Sequence, residues 1–90
     1  MNILEEADRL TSVDRQGTYG HPYEDFSRTA KFWSEIVHSE VSPDQVALCM
    51  IALKLSREVH MHKMDNLIDM CGYARTLELV KQYRNERAGE

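Results

Sequence analysis

The segment Ser42-Pro43-Asp44-Gln45, followed by Val46-Ala47-Leu48-Cys49-Met50-Ile51-Ala52-Leu53, constrains this chain more than any other stretch. Ser42 can cap a helix, and Pro43 then occupies the first helical position, where its missing N–H costs nothing. Gln45 completes a capping box. The helix that starts there is apolar on every side, and such a helix is stable in water only where other elements enclose it. The spacing predicts it over about residues 46–59, as the central and most enclosed element.

The rest of the chain offers only helices to enclose it. Apolar residues recur at helical intervals, and no alternating or β-branched run reads as a strand. Ile3, Leu4, Ala7 and Leu10 predict a first helix over about residues 2–11. Residues 12–22 read as irregular, because Gly17, Gly20 and Pro22 break helix and strand alike. Pro22 opens a second helix that runs to about residue 38. Glu24 and Asp25 sit at its positive end, and Phe26, Ala30, Trp33 and Val37 form one stripe. His60-Met61-His62-Lys63 reads as a short turn. A fourth helix is expected over about residues 65–84, with Leu67, Met70, Cys71, Ala74, Leu77 and Val80 on its buried side. The charged tail, residues 85–90, is expected to fray. Short connections make neighbouring helices antiparallel. The expected fold is all-α, a compact antiparallel bundle of about four helices forming one domain over residues 1–90.

At 90 residues such a bundle buries only roughly 60% of its unfolded surface, so its core is thin. A deep cleft inside one copy is not expected. A site should lie between helices near the surface or between subunits. Trp33 and the apolar surplus of the second and third helices point to a homo-oligomer. The net charge of −4 combines 15 acidic and 11 basic residues scattered along the chain. That argues against a long nucleic acid as partner, yet allows a local cation cluster aimed at one phosphate. Cys49 and Cys71 lie in apolar helical runs and are expected to be reduced core thiols. No apolar run approaches the roughly 20 residues that span a bilayer, and no leader pattern opens the chain. The expectation is a cytoplasmic protein with no membrane partner.

The informative polar residues interrupt the buried helices. Lys54, Arg57 and Glu58 share one helical face by their spacing of three and four. Asp65 and Asp69 make a similar pair at the start of the fourth helix, and the intervening turn should bring the two groups together. Read functionally, Glu58, Asp65 and Asp69 hold Mg²⁺ through oxygen ligands while Lys54 and Arg57 take phosphate oxygens. Read structurally, the same residues form an internal ion-pair network, with Asp65 complementing the helix dipole. The spacing fits both. Tyr19-Gly20-His21-Pro22 is a second candidate. A glycine-bearing loop that feeds a helix N-terminus suits an anion, with Tyr19 stacking on a base and His21 donating to phosphate. Gly20 as a left-handed turn, with Tyr19 packed over the core, is the plainer alternative. His60 and His62 are two apart and suit a shared metal poorly. Phosphate-loop, zinc-ligand and Ser/His/Asp patterns do not occur.

Taken together, several strings resemble a small phage and prophage protein family of undefined function. They are Arg15-Gln16-Gly17-Thr18-Tyr19-Gly20-His21-Pro22, Glu24-Asp25-Phe26, Trp33, Ser42-Pro43, Lys54-Leu55-Ser56-Arg57, Asp65-Asn66, and Asp69 followed by Gly72-Tyr73-Ala74. The similarity covers about residues 3–79. Members look loosely like the all-α nucleoside-triphosphate pyrophosphohydrolases called MazG-like. The resemblance implies Mg²⁺ held by carboxylates on two neighbouring helices, cleavage between α- and β-phosphates, and assembly as dimers or tetramers. The last carboxylates of that pattern map onto Asp65 and Asp69. This chain departs from it by carrying Lys54, Arg57 and Glu58 where those enzymes carry Glu-Glu-x-x-Glu.

Three functions follow as expectations. The leading one is recognition of a nucleotide or cyclic nucleotide through Tyr19, Gly20, His21, Lys54 and Arg57, sequestering a host immune signal, with catalysis left open. The second is a Mg²⁺-dependent pyrophosphohydrolase. The third is a helical adaptor that binds a host protein through an apolar face.

Overall fold

The capping box forms as its residues require. The Ser42 hydroxyl accepts from the Gln45 N–H at 3.1 Å, and the Gln45 carbonyl accepts from the Ser42 N–H at 2.9 Å. Helix α4 of the computed structural model follows, Pro43–His60. The structure describes residues 1–89, and all side chains among them except those of Val13 and Asp14. Glu90, the end of the tail expected to fray, lies outside the described residues.

Ahead of α4 come α1 (Ile3–Arg9), a π-helical segment (Leu10–Asp14), α2 (Arg15–Tyr19) and α3 (Pro22–Val37). After α4 comes α5 (Met64–Ala88). No strand occurs among the described residues. The all-α bundle holds, with four helical spans when residues 3–19 are taken as one arm. It measures 40 × 30 × 21 Å.

Two expectations are corrected. Residues 12–19 are helical rather than irregular, because a mid-helix glycine such as Gly17 costs only about 1 kcal/mol and packing offsets that. The turn widens at the π segment, where the buried Thr11 hydroxyl donates to the Ala7 carbonyl at 2.9 Å. Only Gly20 ends the arm. It adopts a left-handed φ of 81°, and its N–H donates to the Gln16 carbonyl at 3.0 Å.

The second correction concerns which helix is central. α4 packs against α3 and α5, whereas α5 packs against α1, the π segment, α3 and α4. α5 is therefore the hub. With one face of α4 left uncovered, only Val46 and Ala47 of its apolar run are fully buried. Leu48 and Leu55 remain about half exposed, and Cys49 is an exposed thiol rather than a core one. Cys71 on α5 is half-buried. The hub tolerates polar residues inside: Asn66, Thr76 and Val80 are its buried positions, and Ala74 is exposed. α5 also runs on to Ala88, past the expected end at residue 84.

The core proper is Phe26 and Ala30 of α3 with Val46 and Ala47 of α4, flanked by Trp33, Val41, Tyr73 and Leu77. Val37, expected on the same stripe, is exposed. At the far end of the bundle Asp44 pairs with Arg84 and, at 3.1 Å, with Lys81. Partial burial works against the Asp44 carboxylate, but the hydrogen bonds from Lys81 and Arg84 outweigh it and hold its pKa below the usual value. This cluster ties the start of α4 to the end of α5.

α3 stops at His38, whose φ of 54° is left-handed. The Ser39 N–H donates to the Ser34 carbonyl at 3.2 Å, and the Ser34 hydroxyl accepts from the Val41 N–H at 2.9 Å. A histidine in that conformation carries a strain that glycine does not. His38→Gly should therefore raise stability by roughly 0.5–1 kcal/mol in chemical denaturation, and a loss would show that the His38 ring contributes more than its backbone costs. Phe26→Ala, which empties the core beside Tyr73, should lower stability by about 3–5 kcal/mol in the same measurement.

Candidate functional site

The turn after α4 places most of the candidate charges together. α4 ends at His60 and α5 begins at Met64, so the expected turn over residues 60–63 forms. One carboxylate holds it shut. Glu58 Oε1 accepts from the Lys63 N–H at 3.0 Å and from the Asn66 side-chain amide at 3.2 Å, and Glu58 Oε2 meets His62 Nδ1 at 2.5 Å. The His62 contact, the Lys63 N–H and the Asn66 amide together hold the Glu58 carboxyl below the ordinary range, against a smaller opposing effect of burial. Asn66 is itself buried, and its amide also reaches the Met61 carbonyl at 3.5 Å. Glu58 is thus committed to the turn.

Beside this clamp lies an open recess of about 700 Å³ lined by Lys54, Arg57, His60, Lys63, Asp65 and Asp69, among others. The half-buried Lys54 ammonium meets Asp69 Oδ2 at 2.8 Å and so links α4 to α5. The Arg57, His60 and Lys63 side chains make no ion pair or hydrogen bond among the described residues, and neither does Asp65. The structure therefore brings together four of the expected residues, Lys54, Arg57, Asp65 and Asp69, and turns Glu58 away from them. Among the described residues no group of three or more His, Cys, Asp or Glu side chains is gathered as for a metal ion. The donor set does not fit a three-carboxylate Mg²⁺ centre: Glu58 is occupied by the turn and Asp69 by Lys54.

The Tyr19-Gly20-His21 loop forms a separate feature. Tyr19 is half exposed, and the Arg15 guanidinium lies 5.3 Å from its ring centre and 5.7 Å from that of Tyr73. His21 caps α3, its Nδ1 accepting from the Tyr23 N–H at 3.0 Å. Its ring lies 4.5 Å from Tyr83, which stacks on Tyr23 at 4.8 Å. The start of α3 thus meets its own side-chain cap and is pinned to the end of α5. Tyr19 and Gly20 border a niche shared with Thr11 and Arg15. A second niche, also containing Thr11 and Arg15, reaches Asp69 at the edge of the Lys54 recess. Both niches are narrow, about 10 and 20 Å³.

Sequence reasoning missed His60 and Lys63 as recess residues, Asn66 as a clamp and Arg15 as the link between two tyrosines. The turn residues carried a signal, since Lys63 adds positive charge beside Arg57 and His60 adds a ring donor or acceptor. Asn66 carried none, because only the folded turn brings it to Glu58.

The clamp predicts a pH dependence. A carboxyl whose folded pKa is depressed adds stability that is complete above its ordinary value of 4.5 and is lost as the pH falls through the lowered one. The difference in melting temperature between the natural chain and Glu58→Gln should be full well above the ordinary carboxylate range and shrink as the pH falls below 4.5. A difference that stays constant over that range would remove Glu58 from the turn.

Comparison with known proteins places the chain in a family. Residues 2–81 match a domain of unknown function, DUF6378. The Gene 55 protein of Mycobacterium phage D29 is 39% identical over 80 residues, which are 88% of this chain and 53% of that protein. The Gene 55 protein of Mycobacterium phage L5 is 33% identical over 89 residues, 97% of this chain and 57% of that protein. The chain thus spans about half the length of the curated relatives it matches. No solved structure matches it. Among the described residues no helix is long and apolar enough to cross a membrane. With a match over nearly its whole length, the chain belongs to the small phage protein family of unknown function DUF6378.

Proposed function

We propose that the protein recognises a small phosphorylated ligand of the nucleotide or cyclic-nucleotide class in the recess between the end of α4 and the start of α5. The observation that carries this reading is the unpartnered Arg57 guanidinium, set beside His60 and Lys63 around a Lys54 already fixed in place by Asp69. A guanidinium presents a planar fork of donors matched to phosphate oxygens, and a free one at the wall of a recess can engage an anion without breaking an existing pair. Lys54 serves there as a positioned charge, and Asp65 and Asp69 offer acceptors for sugar hydroxyls or ring N–H groups.

The geometry favours holding the ligand over cleaving it. A MazG-like pyrophosphohydrolase needs carboxylates free for Mg²⁺, and here one of the three expected is committed to the turn and another to Lys54. For a phage protein, the use we infer is sequestration of a host nucleotide signal. The Tyr19-Gly20-His21 loop contributes less than its sequence suggested, since His21 caps its own helix.

Thermal melting against nucleoside triphosphates, cyclic dinucleotides, pyrophosphate and inorganic phosphate, each with Mg²⁺ or with EDTA, tests this. A ligand at a hundred times its Kd adds about 2.7 kcal/mol, which for a domain of this size raises the midpoint by roughly ten degrees or more. The expected result is a shift that survives EDTA, with the ligand recovered intact. It should be lost in Arg57→Ala, whose melting without ligand is unchanged. Lys54→Ala should lose the shift and also melt lower, because it leaves Asp69 without its partner. No shift with any of these compounds overturns the reading. A shift that requires Mg²⁺ and releases pyrophosphate replaces it with hydrolysis.

A further inference from the structure

The outer face of α4 carries an apolar stripe that nothing among the described residues covers. Leu48, Ala52, Leu55 and Val59 follow one another at intervals of four, three and four residues, and all four are exposed, Val59 by 80%. That is the repeat of a helix–helix seam, placed opposite the inner face that α4 gives to α3 and α5. The stripe continues into an apolar groove of about 320 Å³ between α3 and α4, where Trp33 and the exposed Val37 meet Leu48 and Cys49. Phe32 and Ile36 extend exposed apolar surface further along α3.

We propose that this face is the contact between two copies of the chain, related by a two-fold axis with their α4 helices antiparallel. The inference stands on the α4 surface and does not rest on the ligand reading. Three observations select a second copy as the occupant. The first is continuity. Leu48, Ala52, Leu55 and Val59 expose one continuous apolar row along α4, and Val37 widens it at the groove, the contiguous kind of patch that marks an interaction site.

The second is self-complementarity. The ridge of Leu48, Leu55 and Val59 runs beside a shallow line of small exposed residues, Cys49, Ala52 and Ser56. A two-fold contact requires such a patch to fit itself, ridge into line and line onto ridge. The third is charge. An antiparallel pair sets the positive dipole end of one α4 beside the negative end of the other. It also keeps the two Arg57-His60-Lys63 ends apart, whereas a parallel pair would set them side by side. With Ala52 at the axis, Gln45 of one copy lies opposite Val59 of the other.

Sedimentation of the full chain between about 1 and 100 µM tests the contact. The expected species is a dimer, or an even-numbered assembly of dimers. Leu55→Glu should weaken association at least tenfold with helix content unchanged, since Leu55 is already half in water. Leu4→Glu, which changes an exposed leucine on α1 outside the face, should leave the mass as it was. A natural chain that stays monomeric at 100 µM overturns the proposal. So does a dimer that survives Leu55→Glu and dissolves with Leu4→Glu. Disulfide trapping in a Cys49→Ser, Cys71→Ser background reads the orientation. A Gln45→Cys chain mixed with a Val59→Cys chain should form the mixed dimer, and trapping only of each chain with itself refutes the antiparallel pair.

Discussion

The Glu58 carboxylate is the constraint on which the rest of the molecule depends. Three residues separate α4 from α5, and a turn that short can reverse the chain in more than one direction. By accepting from the Lys63 N–H, the Asn66 amide and His62 at once, Glu58 selects the direction that lays α5 along the inner face of α4. The donors are worth more together than singly, because each holds the carboxylate in place for the others. Asp44, paired with Lys81 and Arg84 at the opposite end, closes the same two helices like a second clasp. Between these two carboxylates the apolar packing of Val46 and Ala47 with Tyr73 and Leu77 has a register to work with.

That register also makes the recess. Once the turn is closed, Lys54 on α4 falls within 2.8 Å of Asp69 on α5, and the remaining cations of the turn point past the pair into open space. The two readings of these charges in the sequence were an ion-pair network and a ligand site. The ion-pair reading holds for some of these residues, and the ligand proposed above would use the others. Lys54, Glu58 and Asp69 are engaged within the protein, whereas the Arg57, His60, Lys63 and Asp65 side chains make no ion pair or hydrogen bond among the described residues. A thin bundle separates these roles along one helix, since residues one position apart already face different sides.

Thinness also explains where the apolar surface went. A four-span bundle of this size has one hub, and the hub is α5, which α1 and the π segment cover from one side while α3 and α4 cover it from the other. α4 is left with a single buried face. Its outer leucines stay in water not because they are poorly chosen for a core but because no element of the chain remains to reach them.

What the sequence alone determined was local. The capping box at Ser42, the start of α3 at Pro22, the short turn over residues 60–63 and the all-helical class each depend on a few neighbouring residues whose chemistry allows one outcome. The gathering of Lys54, Arg57, Asp65 and Asp69 was legible for the same reason, being set by helical period and one short turn. Tertiary structure decided the rest. It kept residues 12–19 helical, because Arg15 stacks on Tyr73 of a helix more than fifty residues away and packing outweighs a glycine's preference. It gave the central place to α5, because the apolar content of α4 says how much surface needs covering and nothing about which element covers it. It turned Glu58 from the recess to the turn, because a carboxylate goes to whichever donors the fold presents, and those came from Lys63 and from a buried Asn66.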